Sequence, residues 1–102
     1  MKLSARRIEL PFEYVFKNGD VSEFVYMAPT TEQMDRVMEV AEKESPKELL
    51  SESKGVLKEN LTGDKKLIKR MLEELEKEGD IYDFKERLDI AVGKLKKKRK
   101  NG

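Results

Sequence analysis

The chain has 102 residues, of which 42% are charged and 37% hydrophobic, and its formal net charge is +1. This length fits one domain with a modest core. The chain contains no cysteine and no histidine, which excludes disulfides, thiolate nucleophiles and any mechanism with a histidine base. We therefore expect a protein that is not an enzyme and that uses no cofactor or metal. Since no stretch approaches the roughly 20 apolar residues of a membrane span and no signal peptide is visible, a cytoplasmic location is expected.

A β-hairpin is predicted over residues 8–27. Between residues 8 and 16 the apolar side chains occupy every second position, which is the period of a strand with one buried face. The dipeptide Asn18-Gly19 follows. Because both residues tolerate a positive φ, it predicts a two-residue type I′ turn. Residues 21–27 then form the predicted return strand.

The two-residue turn also predicts how the strands pair and which side chains face the core. It places Phe12 opposite Val25, so that Val21 and Val25 share the core face. Phe24 and Tyr26 then lie on the opposite face, where a helix or another chain must cover them. This second face and the unpaired strand edges predict self-association into a dimer or a larger oligomer.

Three to four amphipathic helices are predicted after the hairpin, each from a start signal and the apolar stripe that follows it. The start signals are Thr30 with Gln33, Ser45 with Pro46, Asp64, and Asp80. Gly55 disfavours helix by about 1 kcal/mol relative to alanine, so the second helix is expected to be short, split or mobile. Residues 60–63 predict a break between the second and the third helix. Gly79 predicts the C-terminal end of the third helix.

Together these elements predict an α+β fold in which an N-terminal β-hairpin packs against the helices. We expect a single domain over residues 1–95, with residues 31–95 as its helical part. Residues 96–102 are expected to form a basic flexible tail.

The ionic residues are unevenly distributed along the chain. Residues 30–59 hold eight acids and five bases, whereas residues 81–102 hold three acids and eight bases. A basic end can bind nucleic acid through its phosphates, although lysines also suit a solvated helix C-terminus. The alternative function is therefore a small protein that binds nucleic acid weakly through its basic C-terminal helix. Its candidate residues are Lys94, Lys96, Lys97, Lys98, Arg99 and Lys100.

A candidate partner-binding surface comes from the apolar residues that one small hairpin cannot bury. Met34 and Met38 lie on one stripe of the first helix. Methionine at this spacing usually fills a core, but it also lines adaptable binding grooves. With Phe24 and Tyr26, these residues are expected to form the patch that holds a helical segment of a protein partner.

The first 35 residues combine a Leu-Pro approach to the hairpin, a glycine turn and a Pro-Thr exit into a helix. The residues that carry this pattern are Leu10-Pro11-Phe12, Asn18-Gly19, Val21, Phe24, Tyr26, and Pro29-Thr30 with Gln33-Met34. In these features the chain resembles the small tail assembly chaperones of Mu-like and other long-tailed phages. The resemblance implies a protein-interaction module without catalytic residues. It also implies work in the host cytoplasm, with the tape measure protein as client and tail tube proteins as further partners.

Overall fold

A computed structural model describes the backbone of residues 7–101 and the side chains of residues 7–98. The elements are β1 (Glu9–Val15), β2 (Val21–Met27), α1 (Thr31–Glu42), α2 (Pro46–Asn60), β3 (Leu61–Thr62), α3 (Lys65–Glu78) and α4 (Ile81–Asn101). The predicted α+β class is confirmed. The sheet has three antiparallel strands in the order β1-β2-β3. Strand β3 lies where the sequence predicted only a break.

The turn between β1 and β2 has three residues rather than the predicted two. The backbone N–H of Gly19 donates to the carbonyl oxygen of Phe16 at 2.9 Å. The N–H of Phe16 donates to the carbonyl oxygen of Asp20 at 2.8 Å. Gly19 has a φ of 92°, which fits a type I turn closed by a left-handed residue. The side-chain oxygen of Asn18 accepts from the N–H of Asp20 at 3.0 Å. Asn18 therefore serves as an acceptor within the turn.

The third turn residue shifts the pairing of the strands by one position, so the predicted register is wrong. Phe12 lies opposite Phe24 rather than Val25. A shift of one residue turns every side chain of a strand to the other face of the sheet. Phe24 and Tyr26 are consequently 2% and 0% exposed, while Val21 is 54% exposed. The face predicted to need cover from another chain is in fact the core face.

The core lies between this face of the sheet and α2, α3 and α4. Its fully buried apolar residues are Phe16, Phe24, Tyr26, Ala28, Leu57, Leu61, Met71, Leu72, Leu75, Leu88 and Val92. The hairpin contacts α4 through aromatic rings, because the ring centroid of Phe84 lies 5.7 Å from that of Phe12 and 6.1 Å from that of Tyr14. Edge-to-face contacts of this kind add to the free energy of burial.

Polar contacts fix the hairpin against α3. The Tyr14 hydroxyl donates to a carboxylate oxygen of Glu74 at 2.8 Å. Burial, together with this hydrogen bond, raises the pKa of Tyr14 to about 12. The guanidinium of Arg70 lies over the ring of Phe16, 4.2 Å from its centroid. Tyr14 therefore remains a neutral donor at physiological pH, and the turn end of the hairpin cannot swing away without breaking these contacts.

The helix ends follow the predicted signals closely. Thr30 and Gln33 form a complete capping box at the start of α1, the Ser45 hydroxyl accepts from the N–H of Glu48, and Asp64 caps α3. Gly79 ends α3 in the left-handed conformation. These local signals predict helix ends well because each satisfies backbone groups within one turn of the helix.

Two of the three expectations for the second helix, that it is short and that it is split at Gly55, are wrong. The helix is continuous from Pro46 to Asn60. Val56 and Leu57 directly after the glycine are 1% and 0% exposed, and burying two such side chains outweighs the roughly 1 kcal/mol cost of glycine in a helix.

The last helix, α4, continues through Asn101, beyond the predicted domain boundary at residue 95. Residues 96–101 thus have a helical backbone where the sequence predicted a flexible tail. Lysine favours helix, and cations are stabilised near a helix C-terminus. The predicted binding residues Arg99 and Lys100 have side chains outside the described residues. None of the helices between residues 7 and 101 is long and apolar enough to span a membrane.

A pair of aspartate substitutions distinguishes the two registers. Phe24→Asp places an unpaired carboxylate in the core, and we expect it to abolish cooperative unfolding. Val21→Asp places the same group on the solvent face, where it should lower the free energy of unfolding by about 1 kcal/mol or less. Thermal unfolding followed by circular dichroism measures both. A folded Phe24→Asp variant beside an unfolded Val21→Asp variant would support the two-residue turn instead.

Candidate protein-binding groove

A groove of about 340 Å³ lies between α1 and α4, and α2 forms part of its floor. The α1 wall presents Met34, Val37 and Met38, while Val92 and Gly93 line the α4 side. Met34 and Met38 are 42% and 64% exposed. The two methionines that the sequence nominated for partner binding therefore lie together on one accessible apolar surface.

The exposure of these methionines follows from the peripheral position of α1. No residue of α1 is fully buried, although the apolar positions Met34, Val37 and Met38 share one side of the helix at the spacing of an amphipathic stripe. The remaining helices already cover the inner face of the sheet. Helix α1 packs mainly on α2 and presents part of its stripe to solvent, so its apolar surface is available for binding.

Polar contacts hold α1 in this position. The side-chain oxygen of Gln33 accepts from the N–H of Thr30 at 3.0 Å and from the amide of the buried Asn60 at 2.9 Å. The amide of Gln33 in turn donates to Glu59 at 2.7 Å, and Arg36 forms an ion pair with Glu59 at 2.9 Å. The hydrogen bond from Gln33 and the charge of Arg36 hold the pKa of Glu59 below its usual range. The same glutamine thus caps α1 and joins it to the end of α2.

A hydrogen bond next to the groove joins β2 to α4. The hydroxyl of Tyr26 donates to one carboxylate oxygen of Asp89 at 2.7 Å, and the ammonium of Lys85 contacts the other at 2.6 Å. Burial raises the pKa of Tyr26 above its usual value, and the bond to Asp89 raises it further. Since Tyr26 is fully buried and Asp89 already has two partners, these groups are suited to fixing α4 on the sheet. They offer no free acid or base to a substrate.

Charged residues lie on both helices beside the groove. The outward stripe of α1 next to Met38 carries three exposed acids, which we call the acidic rim: Asp35, Glu39 and Glu42. On α4 the exposed Lys96 lines the groove, whereas the exposed Lys94 and Lys97 lie toward the outer side of the helix. Within residues 7–98 no ion pair joins α1 to α4. The acidic rim therefore faces solvent beside the exposed methionines of α1.

The structure brings together only some of the residues nominated from the sequence. Phe24 and Tyr26 are buried below the sheet surface and are not accessible to a partner. Lys96, nominated for nucleic acid, instead lines the groove beside the methionines. Sequence reasoning missed Gly93, an exposed glycine outside the apolar stripe of α4, and the sequence pattern carries no signal for its place in the groove. Over the described residues, no group of three or more acidic side chains is placed to hold a metal ion.

Comparison with known proteins assigns no relative. No family model matches the chain, and neither a curated protein nor a solved structure matches it. The resemblance of the first 35 residues to tail assembly chaperones therefore stays a prediction.

The contact between Tyr26 and Asp89 is tested by a matched pair of substitutions on α4. Asp89→Ala leaves the buried hydroxyl of Tyr26 and the ammonium of Lys85 without their acceptor, and should lower the free energy of unfolding by about 2 kcal/mol. Asp83→Ala removes an exposed ion pair with Arg87 on the same helix. It should change the free energy of unfolding by about 0.5 kcal/mol or less. Denaturant unfolding measures both, and equal effects would show that the buried contact does not stabilise the fold.

Proposed function

We propose that this protein is a protein-interaction module that binds an α-helical segment of a partner in the groove between α1 and α4. The observation that carries this proposal is the exposure of Met34 and Met38 on a helix that has no buried residue. Methionine adapts its flexible, polarisable side chain to differently shaped apolar surfaces. An amphipathic helix laid into an apolar groove is a common mode of peptide recognition.

The acidic rim and Lys96 define the charges of the preferred partner helix. Its apolar stripe would cover the methionines, basic residues on one side would face the acidic rim, and an acidic residue on the other side would face Lys96. Such charges add little affinity when exposed, but they speed association and select among partners. A helix with acidic residues on both flanks would be repelled by the acidic rim in either orientation.

As the specific role of the module we propose a phage tail assembly chaperone that acts in the cytoplasm on the tape measure protein. Two features support this role, namely the resemblance of the first 35 residues and a groove with exposed apolar side chains that a helical client could cover. A surface rich in both signs of charge would keep such a complex soluble. Tail tube proteins are further partners under this proposal.

The nucleic-acid alternative relies on the lysines near the end of α4. Their positions place them around the helix rather than along one stripe, since Lys96 lines the groove while Lys94 and Lys97 lie on the outer side. This arrangement supports sequence-independent contacts with phosphates at low salt. Because such contacts are weak and independent of sequence, we rank the nucleic-acid alternative below the protein-binding function.

A labelled helical peptide tests the general proposal. It carries one apolar stripe flanked by lysines on one side and glutamates on the other, and fluorescence anisotropy reports its binding. Met38→Asp should weaken binding about tenfold, which corresponds to about 1.4 kcal/mol, because it places a carboxylate on the apolar α1 wall of the groove. The matched control is Leu50→Asp, which alters a similarly exposed residue (49%) on α2 outside the groove and should leave binding unchanged.

Two further probes decide between the functions. Co-expression with the tape measure protein of a long-tailed phage should keep that protein soluble with the parent chain and not with the Met38→Asp variant. If the parent protects nothing, the chaperone role fails while the peptide result stands. Tight binding of labelled duplex DNA at physiological salt, together with no peptide binding, would favour the nucleic-acid alternative.

A further inference from the structure

The α4 side of the groove has a gap in its row of side chains. The residues of α4 that line the groove follow one another along one stripe of the helix, and they are Lys85, Asp89, Val92, Gly93 and Lys96. Gly93 is the one residue of this stripe without a side chain. The methionines of α1 form the wall on the other side of the groove. We call the part of the groove next to Gly93 the recess.

The fold itself does not require a glycine at position 93. Gly19 and Gly79 have a positive φ, which other residues avoid. Gly93 instead lies inside α4, where glycine disfavours the helix relative to alanine. Apart from the backbone of its own helix and its two chain neighbours, a Cβ atom added at position 93 would meet no atom within 4 Å. Neither the backbone conformation nor the packing of the chain therefore excludes a side chain here.

The size of the groove limits what can enter it. Its volume is about 340 Å³. One turn of an α-helix with its side chains is about 10 Å wide and 5.4 Å high, which corresponds to roughly 400 Å³. A partner helix must therefore lie over the groove and extend individual side chains into it. The backbone of α4 is uncovered at Gly93, so a side chain of the partner can approach α4 most closely in the recess.

We propose that Gly93 is a specificity-determining residue of the groove, because the recess receives one bulky apolar side chain of the partner helix. This inference deepens the proposed function and rests on it. The incoming side chain would contact Met34 and Met38 on one side and Val92 on the other. Leucine, methionine or phenylalanine would fill the recess, whereas alanine would leave most of it empty and forfeit the burial of apolar surface.

The charged groups beside the recess favour an apolar side chain in it. Both carboxylate oxygens of Asp89 have partners, with Tyr26 at 2.7 Å and Lys85 at 2.6 Å. A charged partner residue over Gly93 would therefore lose water without gaining an ion pair from Lys85 or Asp89. Lys96 lies one turn further along α4, and none of the ion pairs within residues 7–98 includes it. The preferred partner thus carries a bulky apolar residue with an acidic residue about one turn away, opposite Lys96.

Peptide variants combined with a variant at position 93 test the recess. The labelled helical peptide described above is made with each residue of its apolar stripe replaced in turn by alanine, and fluorescence anisotropy gives each Kd. With the parent protein, alanine at one stripe position should weaken binding about tenfold, because that side chain fills the recess. Gly93→Leu should bind the unaltered peptide about tenfold more weakly than the parent does. Alanine at that same position should then cost less than about twofold, because the two changes are coupled.

Two controls separate this effect from changes in folding. Gly55→Ala and Gly93→Ala each add a methyl group to a helix where it meets no neighbour, and each should raise the Tm by about 4 °C. Of these two glycines only Gly93 lines the groove, so only Gly93→Ala should weaken peptide binding, by about threefold. Lys94→Leu adds a leucine on the outer side of α4 and should leave binding unchanged. Circular dichroism checks the helix content of every variant.

The results distinguish a failure of this inference from a failure of the proposed function. If the parent binds the peptide and both variants at position 93 bind every peptide as the parent does, the inference is overturned while the helix-binding function stands. The inference is also overturned if Gly93→Leu weakens all peptides equally, with no stripe position coupled to residue 93. If the parent binds no peptide, the proposed function fails and the inference fails with it.

Discussion

The conformation of the turn between β1 and β2 decides which face of the sheet is buried. Gly19 adopts a left-handed conformation with a φ of 92°, which closes a three-residue turn and sets Phe12 opposite Phe24. With that pairing, Phe24 and Tyr26 face the helices and are almost completely buried. A turn shorter by one residue would direct the smaller side chains of Val21 and Val25 inward instead. Helices α2, α3 and α4 pack on the aromatic face that this turn creates.

The groove is a consequence of that packing. The inner face of the sheet accommodates three helices, and α1 is left at the side, where hydrogen bonds of Gln33 and the ion pair of Arg36 hold it. A helix that lacks buried residues contributes little hydrophobic free energy to folding. Its exposed methionines cost the protein solubility unless something covers them. The partner helix proposed above would cover this surface.

The helices could be predicted from the sequence because their signals are local. Thr30 with Gln33, Asp64 and Gly79 each satisfy backbone groups within one helical turn, and no distant residue has to be known. The predicted start and end positions therefore hold in the structure. The placement of Met34 and Met38 on one face of α1 could also be predicted, because their spacing is a local feature of the sequence.

The register could not be predicted, because Asn18-Gly19 fits a two-residue turn and also a three-residue turn ending in glycine. The hydrophobic pattern does not choose between them, since β2 is apolar on both faces, with Val21 and Val25 on one and Phe24 and Tyr26 on the other. Strand β3 was not predicted because a strand of two residues is too short to show the alternation of apolar and polar side chains. The groove required knowledge of which face of α1 remains uncovered once the core has formed, and only the packed structure contains that information.

The register can be measured directly by nuclear magnetic resonance in solution. In an antiparallel sheet the Hα atoms of residues in a non-hydrogen-bonded pair lie close together. The three-residue turn predicts strong nuclear Overhauser effects between the Hα atoms of Glu13 and Glu23 and between those of Val15 and Val21. Strong effects between Tyr14 and Glu23 would instead show the two-residue turn. That result would place Phe24 and Tyr26 on the outer face and contradict the account of the core and of the groove.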